Sequence, residues 1–498
     1  MNLHSPILLG ILLSSFVTGL VIFFLKEESH RLRTWLNLIG AGVKLVLVAV
    51  LLSGVYRGET YVFAIEFLPG IPFVLGADAN SVLFVTLSSV LWFFTTLYAV
   101  GYLEHTPHRS RFFGFFSLCV TATTGIALSA NLVTFLTFYE LLTVTTYPLI
   151  VHRGTREALR GGRIYLTYTV VGGAVLLLAV VWLHALAGPV VFKERGVLQG
   201  LVATHRGELQ LIFLLFMVGL GVKAALVPLH GWLPKAMVAP APVSALLHAV
   251  AVVKAGAFGI VRIVYDVYGA QTAAALGVLP PLAVAAGVTI VYGSVRALFQ
   301  DELKKRLAYS TVSQVSYIVL GAAILGPVST IGGLVHLVHQ GIMKITLFFC
   351  AGNYAETLGT HHVSEMDGVG RRMPLTTAAF TVAALGMIGV PPLAGYVSKW
   401  YLQTGAIQAG DEWVALVLGI SSLLNAAYFL PILYRAWLKA PPQHWPAEHR
   451  FGAWETNWML LLPPLVTAML VITAGVFAES SVSPLVWVKL IAAREYAP

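Results

Sequence analysis

Apolar residues along this chain fall into long unbroken runs separated by short polar segments, and the length of the runs decides the reading. At 1.5 Å of rise per residue, a helix of about 20 residues crosses the roughly 30 Å hydrocarbon core of a bilayer. About fourteen spans of this kind can be placed, at residues 6–25, 34–54, 79–103, 112–130, 132–151, 164–187, 209–229, 240–265, 274–298, 308–325, 329–352, 374–408, 412–436 and 457–478. The strands of a transmembrane barrel would instead alternate over about 10 residues. These runs are continuous and rich in Leu, Ala, Val and Gly, so the pattern predicts an all-α integral membrane protein, one polytopic domain over residues 1–498 with no soluble domain left over. The first run, PILLGILLSSFVTGLVIFF, has no positive region before it and no small-residue cleavage site, so it is expected to stay as the first span.

Charge adds the topology. Hydrophobic residues make up 58% of the chain and charged residues 11%, against about 25% charged in an average soluble domain. The basic residues sort by loop: Lys26, Arg31 and Arg33 follow span one, Arg109 and Arg111 span three, and Arg153, Arg156 and Arg160 span five. Lys304, Lys305 and Arg306 follow span nine, Arg371 and Arg372 span eleven, and Arg435 and Lys439 end span thirteen. Only Lys193, Arg195 and Arg206, after span six, break the alternation. The positive-inside rule then makes the odd loops cytoplasmic and puts both termini on the non-cytoplasmic side of a cell membrane. A net charge of +9 is mostly topological on this reading, and with no basic stripe on a soluble module, nucleic acid is not an expected partner. Cys119 and Cys350 lie inside apolar runs, outside any CxxC or Cys/His cluster.

Two spans are interrupted. Span twelve, 374–408, is too long for one crossing, and GVPPLAG at 389–395 removes two backbone donors at Pro391 and Pro392, just before Lys399. A related break, VPLHGWLP at 227–234 with Pro228, follows Lys223 by one turn. Discontinuous helices at corresponding positions of two halves point to an ion site at a repeat interface. If spans four to eight and nine to thirteen are the halves, spans seven and twelve are each the fourth helix of their half. The chain would then divide into N-terminal helices (1–111), a first repeat (112–265), a second repeat (274–436) and a C-terminal helix with its tail (457–498). Two independent proline kinks would leave the same marks.

Ionisable residues inside the spans are the candidate chemistry, because a charge at the bilayer centre costs roughly 3 kcal/mol and normally faces a protein interior or a hydrated path. Lys223, Lys254 and Lys399 can each lose and regain a proton as their surroundings dry or wet. Glu140, in NLVTFLTFYELLTVTTYPLIV, is the natural partner of Lys223, as a titrating pair or as a fixed ion pair between helices. His248 precedes Lys254 by six residues and serves equally as a relay or as a hydrogen-bonded core histidine. His336, His339 and Lys344 share one run; the two histidines lie on one helix face but do not complete a metal or haem site by themselves, so a hydrated relay is the favoured reading. Threonines at 134, 137, 143, 145 and 146 flank Glu140 and would hold water or bond back to their own helix. Asp78 is expected to cap span three, and DELKKRLAYS at 301–310 to anchor the cytoplasmic face.

Taken in order, FYELL around Glu140, VGLGVKAALVPLHGWLPKAMVAPAPVSALLHAVAVVKAG at 218–256, LKKRLAYSTVSQVSYIVLG at 303–321, HQGIMKITLFFCAG at 339–352, RRMPLT at 371–376 and GVPPLAGYVSKW at 389–400 carry a resemblance. The chain resembles the proton-conducting antiporter-like subunits shared by respiratory complex I and the Mrp cation/proton antiporters, and within them the Mrp D-type subunit. The resemblance covers nearly the whole chain. It implies fourteen helices, two inverted five-helix repeats and a central hydrated axis. It also implies a charged pair at Glu140 and Lys223, a middle lysine at Lys254, second half-channel positions at His339 and Lys344, and a terminal lysine at Lys399. On this resemblance the long lateral helix of the largest complex I subunit is not expected, while His248 is similar to that larger chain and departs from the D-type pattern.

The expected activity is therefore translocation of H+, with Na+ as the exchanged ion in an antiporter. The chain would act beside other membrane subunits, without a cofactor or catalytic chemistry of its own, in an antiporter or in an NADH-quinone oxidoreductase-like translocase. A redox enzyme with haem or quinone chemistry is the competing class. A hydrogenase or inorganic-carbon uptake assembly would use the same helical core with a different soluble partner.

Overall fold

The computed structural model describes residues 6–68, 70–103, 106–452 and 454–496. Its apolar runs are helices, as hydrocarbon requires: backbone groups find no water there and must bond within their own segment. The order is α1 Pro6–Phe23, α2 His30–Tyr56, α3 Ala79–Tyr102, α4 Arg109–Leu128, α5 Leu132–Ile150, α6 Arg156–Ala187 and α7 Val202–Lys223. There follow α8 Trp232–Lys235, α9 Ala241–Ala249, α10 Val252–Arg262, α11 Ala270–Leu276, α12 Leu279–Leu298, α13 Leu303–Ala323 and α14 Pro327–Leu358. Last come α15 Val369–Arg372, α16 Pro374–Ile388, α17 Ala394–Ala409, α18 Glu412–Leu438, α19 Trp458–Val476 and α20 Pro484–Tyr496. Among the described residues, 12 helical segments are long and apolar enough to cross a membrane. The more polar α13 has the length to cross as well, at 21 residues, and α16 and α17 are the two halves of the interrupted span twelve.

Two segments form the centre. Ala241–Tyr268 and α14 are enclosed on every side, whereas α1, α2 and α6 bury only about a third of their length and turn residues such as Val46, Leu177 and Val181 outward. That apolar outer face is what a helix in contact with lipid or a neighbouring subunit presents.

The loops gather by parity. At one end, Glu27 after α1 accepts from the backbone of Arg109 and Ser110 after α3 (2.9 and 3.0 Å), and Arg111 donates to the carbonyl of His152 after α5 (3.3 Å). The segment before α13 joins that after α14 through Leu303 and His361 (2.9 Å), which joins the end of α18 through Gly368 and Arg435 (2.9 Å). At the other end Asn131 donates to the Pro72 carbonyl (2.8 Å), Lys193 N–H to the Asp266 carbonyl (3.1 Å), and Gly326 N–H to the Tyr496 hydroxyl (3.2 Å). Odd and even loops thus lie at opposite ends, as the charge pattern requires.

The structure departs from the sequence reading in three elements. A β-hairpin, β1 Tyr61–Leu68 with β2 Ile71–Ala77, pairs antiparallel between α2 and α3, so the chain is not purely helical. Span eight is broken: α9 ends at Ala249, α10 starts at Val252, and neither Pro nor Gly stands in the gap. Finally, the tail folds as α20, whose Trp487 indole donates to the Ala79 carbonyl at the start of α3 (2.9 Å). Asp78 does cap α3, accepting from Ser81 N–H at 2.7 Å.

Candidate functional site

Lys223 is the last residue of α7, fully buried where the helix gives way to the VPLHGWLP turn. Its ammonium donates to the Tyr139 carbonyl on α5 and stands 3.4 Å from the centre of the Tyr139 ring, a cation–π contact. Glu140 is the next residue but turns to another face, half-buried against Gly173 of α6, with its Oε1 lacking a protein partner. No ion pair joins Glu140 and Lys223 among the described residues; the two lie within electrostatic range of each other, and Tyr139 supplies the contact.

From there the cations continue inward. α10 packs against the end of α7 at Gly256, where a Cβ would meet the Lys223 carbonyl carbon at 2.7 Å and the Leu220 carbonyl oxygen at 2.8 Å, so a glycine is needed for the approach. Two residues earlier on α10, Lys254 donates to the Leu337 carbonyl of α14 at 2.8 Å. His248, on α9 beyond the break, stacks on Phe348 with ring centres 4.5 Å apart and has no protein hydrogen bond at either nitrogen.

α14 carries the line onward. His336, beside Leu337, shares a hydrogen bond with Ser398 of α17 (2.8 Å) and stacks on Tyr317 of α13 (4.9 Å), within electrostatic range of both Lys254 and Lys399. His339 lies against the backbone at Ala394 without reaching a hydrogen bond. Lys344 sits on the same helix, donating to Ser310 Oγ (2.6 Å) and the Leu307 carbonyl (3.2 Å). Among the described residues no group of 3 or more His, Cys, Asp or Glu gathers as a metal site.

Lys399 shows what the break in span twelve does. α16 ends at Gly389, whose φ of +99° suits glycine, and Lys399 packs close over it. In a continuous helix the N–H groups of residues 391 and 392 would bond the carbonyls four residues back, Met387 and Ile388. Pro391 and Pro392 have no N–H. Those two freed carbonyls are the acceptors of Lys399, at 3.0 and 2.9 Å, with Ser422 Oγ as a third at 3.0 Å. Local sequence thus builds the lysine's cradle out of carbonyls that the prolines leave unbonded.

Several residues were missed in the sequence. Lys44, fully buried in α2, donates to Ser15 (2.9 Å) and Thr124 (2.6 Å) and faces Trp92 at 5.0 Å; it lies inside an apolar run, the signal that picked out Lys223. Arg262 and Asp266 form a buried pair (2.9 Å) that also binds Asp78 (2.5 Å), tying Ala241–Tyr268 to α3. Tyr317, Ser310, Tyr428 and Asn425 surround the lysines of the second half; as neutral residues in helices they gave no signal.

Similarity to known proteins follows the same geometry. The family described as NADH:quinone oxidoreductase/Mrp antiporter, TM, matches residues 129–425, from the start of α5 into α18. NADH-quinone oxidoreductase subunit N of Desulforudis audaxviator (strain MP104C) is 34% identical over 501 residues, covering 97% of this chain and 98% of that protein. The D-type Na(+)/H(+) antiporter subunit of Bacillus subtilis (strain 168) is 27% identical over 407 residues, 82% of this chain and 80% of that one. In fold, a chain in the structure of the Mrp complex from Dietzia sp. DQ12-45-1b superposes with a TM-score of 0.86 at 23% identity, over 100% of this chain and 98% of that chain. A chain of the membrane-bound sulfane sulfur reductase, an archaeal respiratory membrane complex, does so with a TM-score of 0.87 at 23% identity, over 99% and 98%. With the family's pattern running through more than half of its length and a relative alike from nearly end to end, this multi-pass membrane chain belongs to the NADH:quinone oxidoreductase/Mrp antiporter family of transmembrane subunits.

Proposed function

We propose that the chain translocates protons as one membrane subunit of a larger complex, along an axis that runs from Glu140 and Lys223 through Lys254 and His336 to Lys399, with His248, His339 and Lys344 beside it. The observation that carries this reading is the sequence of buried cations, each donating to a backbone carbonyl: Lys223 to Tyr139, Lys254 to Leu337, Lys399 to Met387 and Ile388. A carbonyl can accept from an ammonium or from a neutral amine, so each site tolerates both protonation states. A fixed carboxylate would hold the charge and stop the proton.

Hydration of the axis is supported by polar atoms without protein partners around it, both nitrogens of His248 and the side-chain amides of Gln314 and Gln340. Buried groups of this kind are ordinarily met by ordered water, which also carries protons. Glu140 acts on Lys223 through space and adjusts how readily it holds its proton. The odd loops, with their Lys and Arg, face the cytoplasm, and the hairpin and α20 lie on the other side. Residues 112–265 and 274–436 are the two repeats, with α7 and the α16–α17 pair in equivalent positions.

The intact complex in inverted membrane vesicles tests this. Lys223→Ala is expected to abolish proton transport at normal assembly, and Glu140→Gln to cost nearly as much while Glu140→Asp keeps part of the activity. Wild-type flux in Lys223→Ala would refute the axis. The relatives named as Na(+)/H(+) antiporter and NADH-quinone oxidoreductase subunits favour two settings, exchange against Na+ or coupling to a redox partner as in complex I-like, hydrogenase or inorganic-carbon uptake assemblies; Na+ dependence of the flux separates them.

A further inference from the structure

A second line of hydrogen bonds joins Lys344 to Lys399 without passing through His336. Lys344 donates to Ser310 Oγ (2.6 Å), Ser310 and the Tyr428 hydroxyl are 2.8 Å apart, and Tyr428 donates to Asn425 Oδ1 (2.6 Å). Asn425 Nδ2 donates to the Met387 carbonyl (3.1 Å), the same oxygen that accepts from Lys399 (3.0 Å). All four linking groups are fully buried.

The donors and acceptors leave one arrangement. The Met387 carbonyl can only accept, so the Asn425 amide must face it with its NH2 and turn Oδ1 to Tyr428. The single hydroxyl hydrogen of Tyr428 is then used on Asn425. Ser310 must give its hydrogen to Tyr428, and it accepts from Lys344. Every hydrogen along the line therefore points from Lys344 toward Met387. Hydrogen bonds in such a chain polarise one another, and more so in a medium of low dielectric. A positive charge on Lys344 strengthens each link and makes Asn425 draw harder on the Met387 oxygen. Both lone pairs of that oxygen are engaged, so it becomes a poorer acceptor for Lys399.

The geometry points to Tyr428 and Asn425 as positioning residues that couple the two lysines: a proton arriving on Lys344 loosens the hold of the broken helix on Lys399. This rests on the proton axis proposed above and adds to it a route by which charge in one place drives release in another. Direct charge–charge effects run beside it. Lys254 and His248 face Lys344, while His336 and Tyr317 face Lys399. Arg306 holds the Tyr428 carbonyl at 3.0 Å, which fixes the backbone of α18 at this point.

The test is the pH dependence of proton transport by the intact complex in inverted vesicles. Tyr428→Phe keeps the ring and cuts the line, and is expected to move the midpoint of the alkaline limb upward by about half a pH unit, since Lys399 then keeps its proton when Lys344 is charged. Ser310→Ala cuts the line at its other end and should move the midpoint the same way, which decides the matter if one variant fails to assemble. Tyr428→Phe combined with Asn425→Leu should shift no further than the larger single change. An unmoved midpoint, additive shifts, or complete loss of transport at normal assembly would each overturn the inference. Absence of proton transport by the wild-type complex would instead remove the axis reading, and this inference with it.

Discussion

At the scale of single residues, Lys44 and Lys223 are alike in burial and differ in their surroundings. Both are enclosed in a bilayer-length helix. Lys223 lies within electrostatic range of Glu140 and, at Gly256, beside the helix of Lys254, whereas Lys44 meets two hydroxyls and an indole among the described residues. Those hydroxyls have other partners, Ser15 the Leu12 carbonyl (3.3 Å) and Thr124 the Val120 carbonyl (2.8 Å), so removing the ammonium strands neither. A buried charge replaced by an apolar side chain of similar length is often neutral or stabilising. Lys44→Met is accordingly expected to assemble, to be no less stable to heat in detergent, and to transport within about twofold of wild type. Loss of flux in a well-assembled Lys44→Met would show that the N-terminal helices carry a working proton site.

At the scale of elements, the two prolines of α16–α17 leave free the carbonyls to which Lys399 donates. Replacing Pro391 and Pro392 with Ala returns two N–H donors to the positions from which Met387 and Ile388 would be bonded, and these compete with Lys399 for its carbonyls. A hydrogen bond to a charged group is worth about 1.5–3 kcal/mol, so losing even one corresponds to roughly tenfold in occupancy of the charged state. Proton flux in the double variant is expected to fall by about that factor although every titratable group is intact. Flux equal to wild type would mean that the break is a tolerated kink.

At the scale of the whole molecule, both ends are tied by charge as well as by backbone bonds. The end that gathers the odd loops has Arg435 with Asp367 (2.8 Å) and Arg372 with Glu448 (2.7 Å), and the opposite end has Arg262 with Asp78 and Asp266, and Glu495 of α20, which accepts from Arg195 N–H at 2.9 Å. Burial, and next the nearby Asp266 carboxylate, push the Glu495 carboxyl up to about 8. An acid whose pKa is raised on docking favours the docked state in its protonated form. Docking of α20 is therefore strongest below the free carboxylate range near 4 and weakens as pH rises toward about 8. Protection against hydrogen exchange over residues 484–496 in the intact complex, taken relative to the intrinsic chemical rate at each pH, should be lower at pH 9 than at pH 6, and Glu495→Gln should flatten the difference. Equal protection at the two pH values in the wild type would show that docking of the tail does not depend on this carboxyl.

What the sequence determined by itself is the part set locally. Each helix in a membrane satisfies its own backbone, so run length placed the spans, and their ends agree with the structure within a few residues over most of the chain. Loop charge fixed which loops share an end. Out-of-place polarity singled out Lys223, Lys254 and Lys399, and missing donors marked the break at Pro391 and Pro392. The tertiary structure alone decided the partners, because hydrogen bonds in a helical bundle join residues far apart in the chain. Nothing in FYELL says that Lys223 will rest on the Tyr139 carbonyl while Glu140 turns toward α6. The gap between Ala249 and Val252 has no helix breaker to announce it, and the hairpin at 61–77 reads as an ordinary apolar loop. Ser310, Tyr428 and Asn425 are neutral residues on two helices over a hundred positions apart; only packing α13 against α14 and α18 brings them into one line between two lysines.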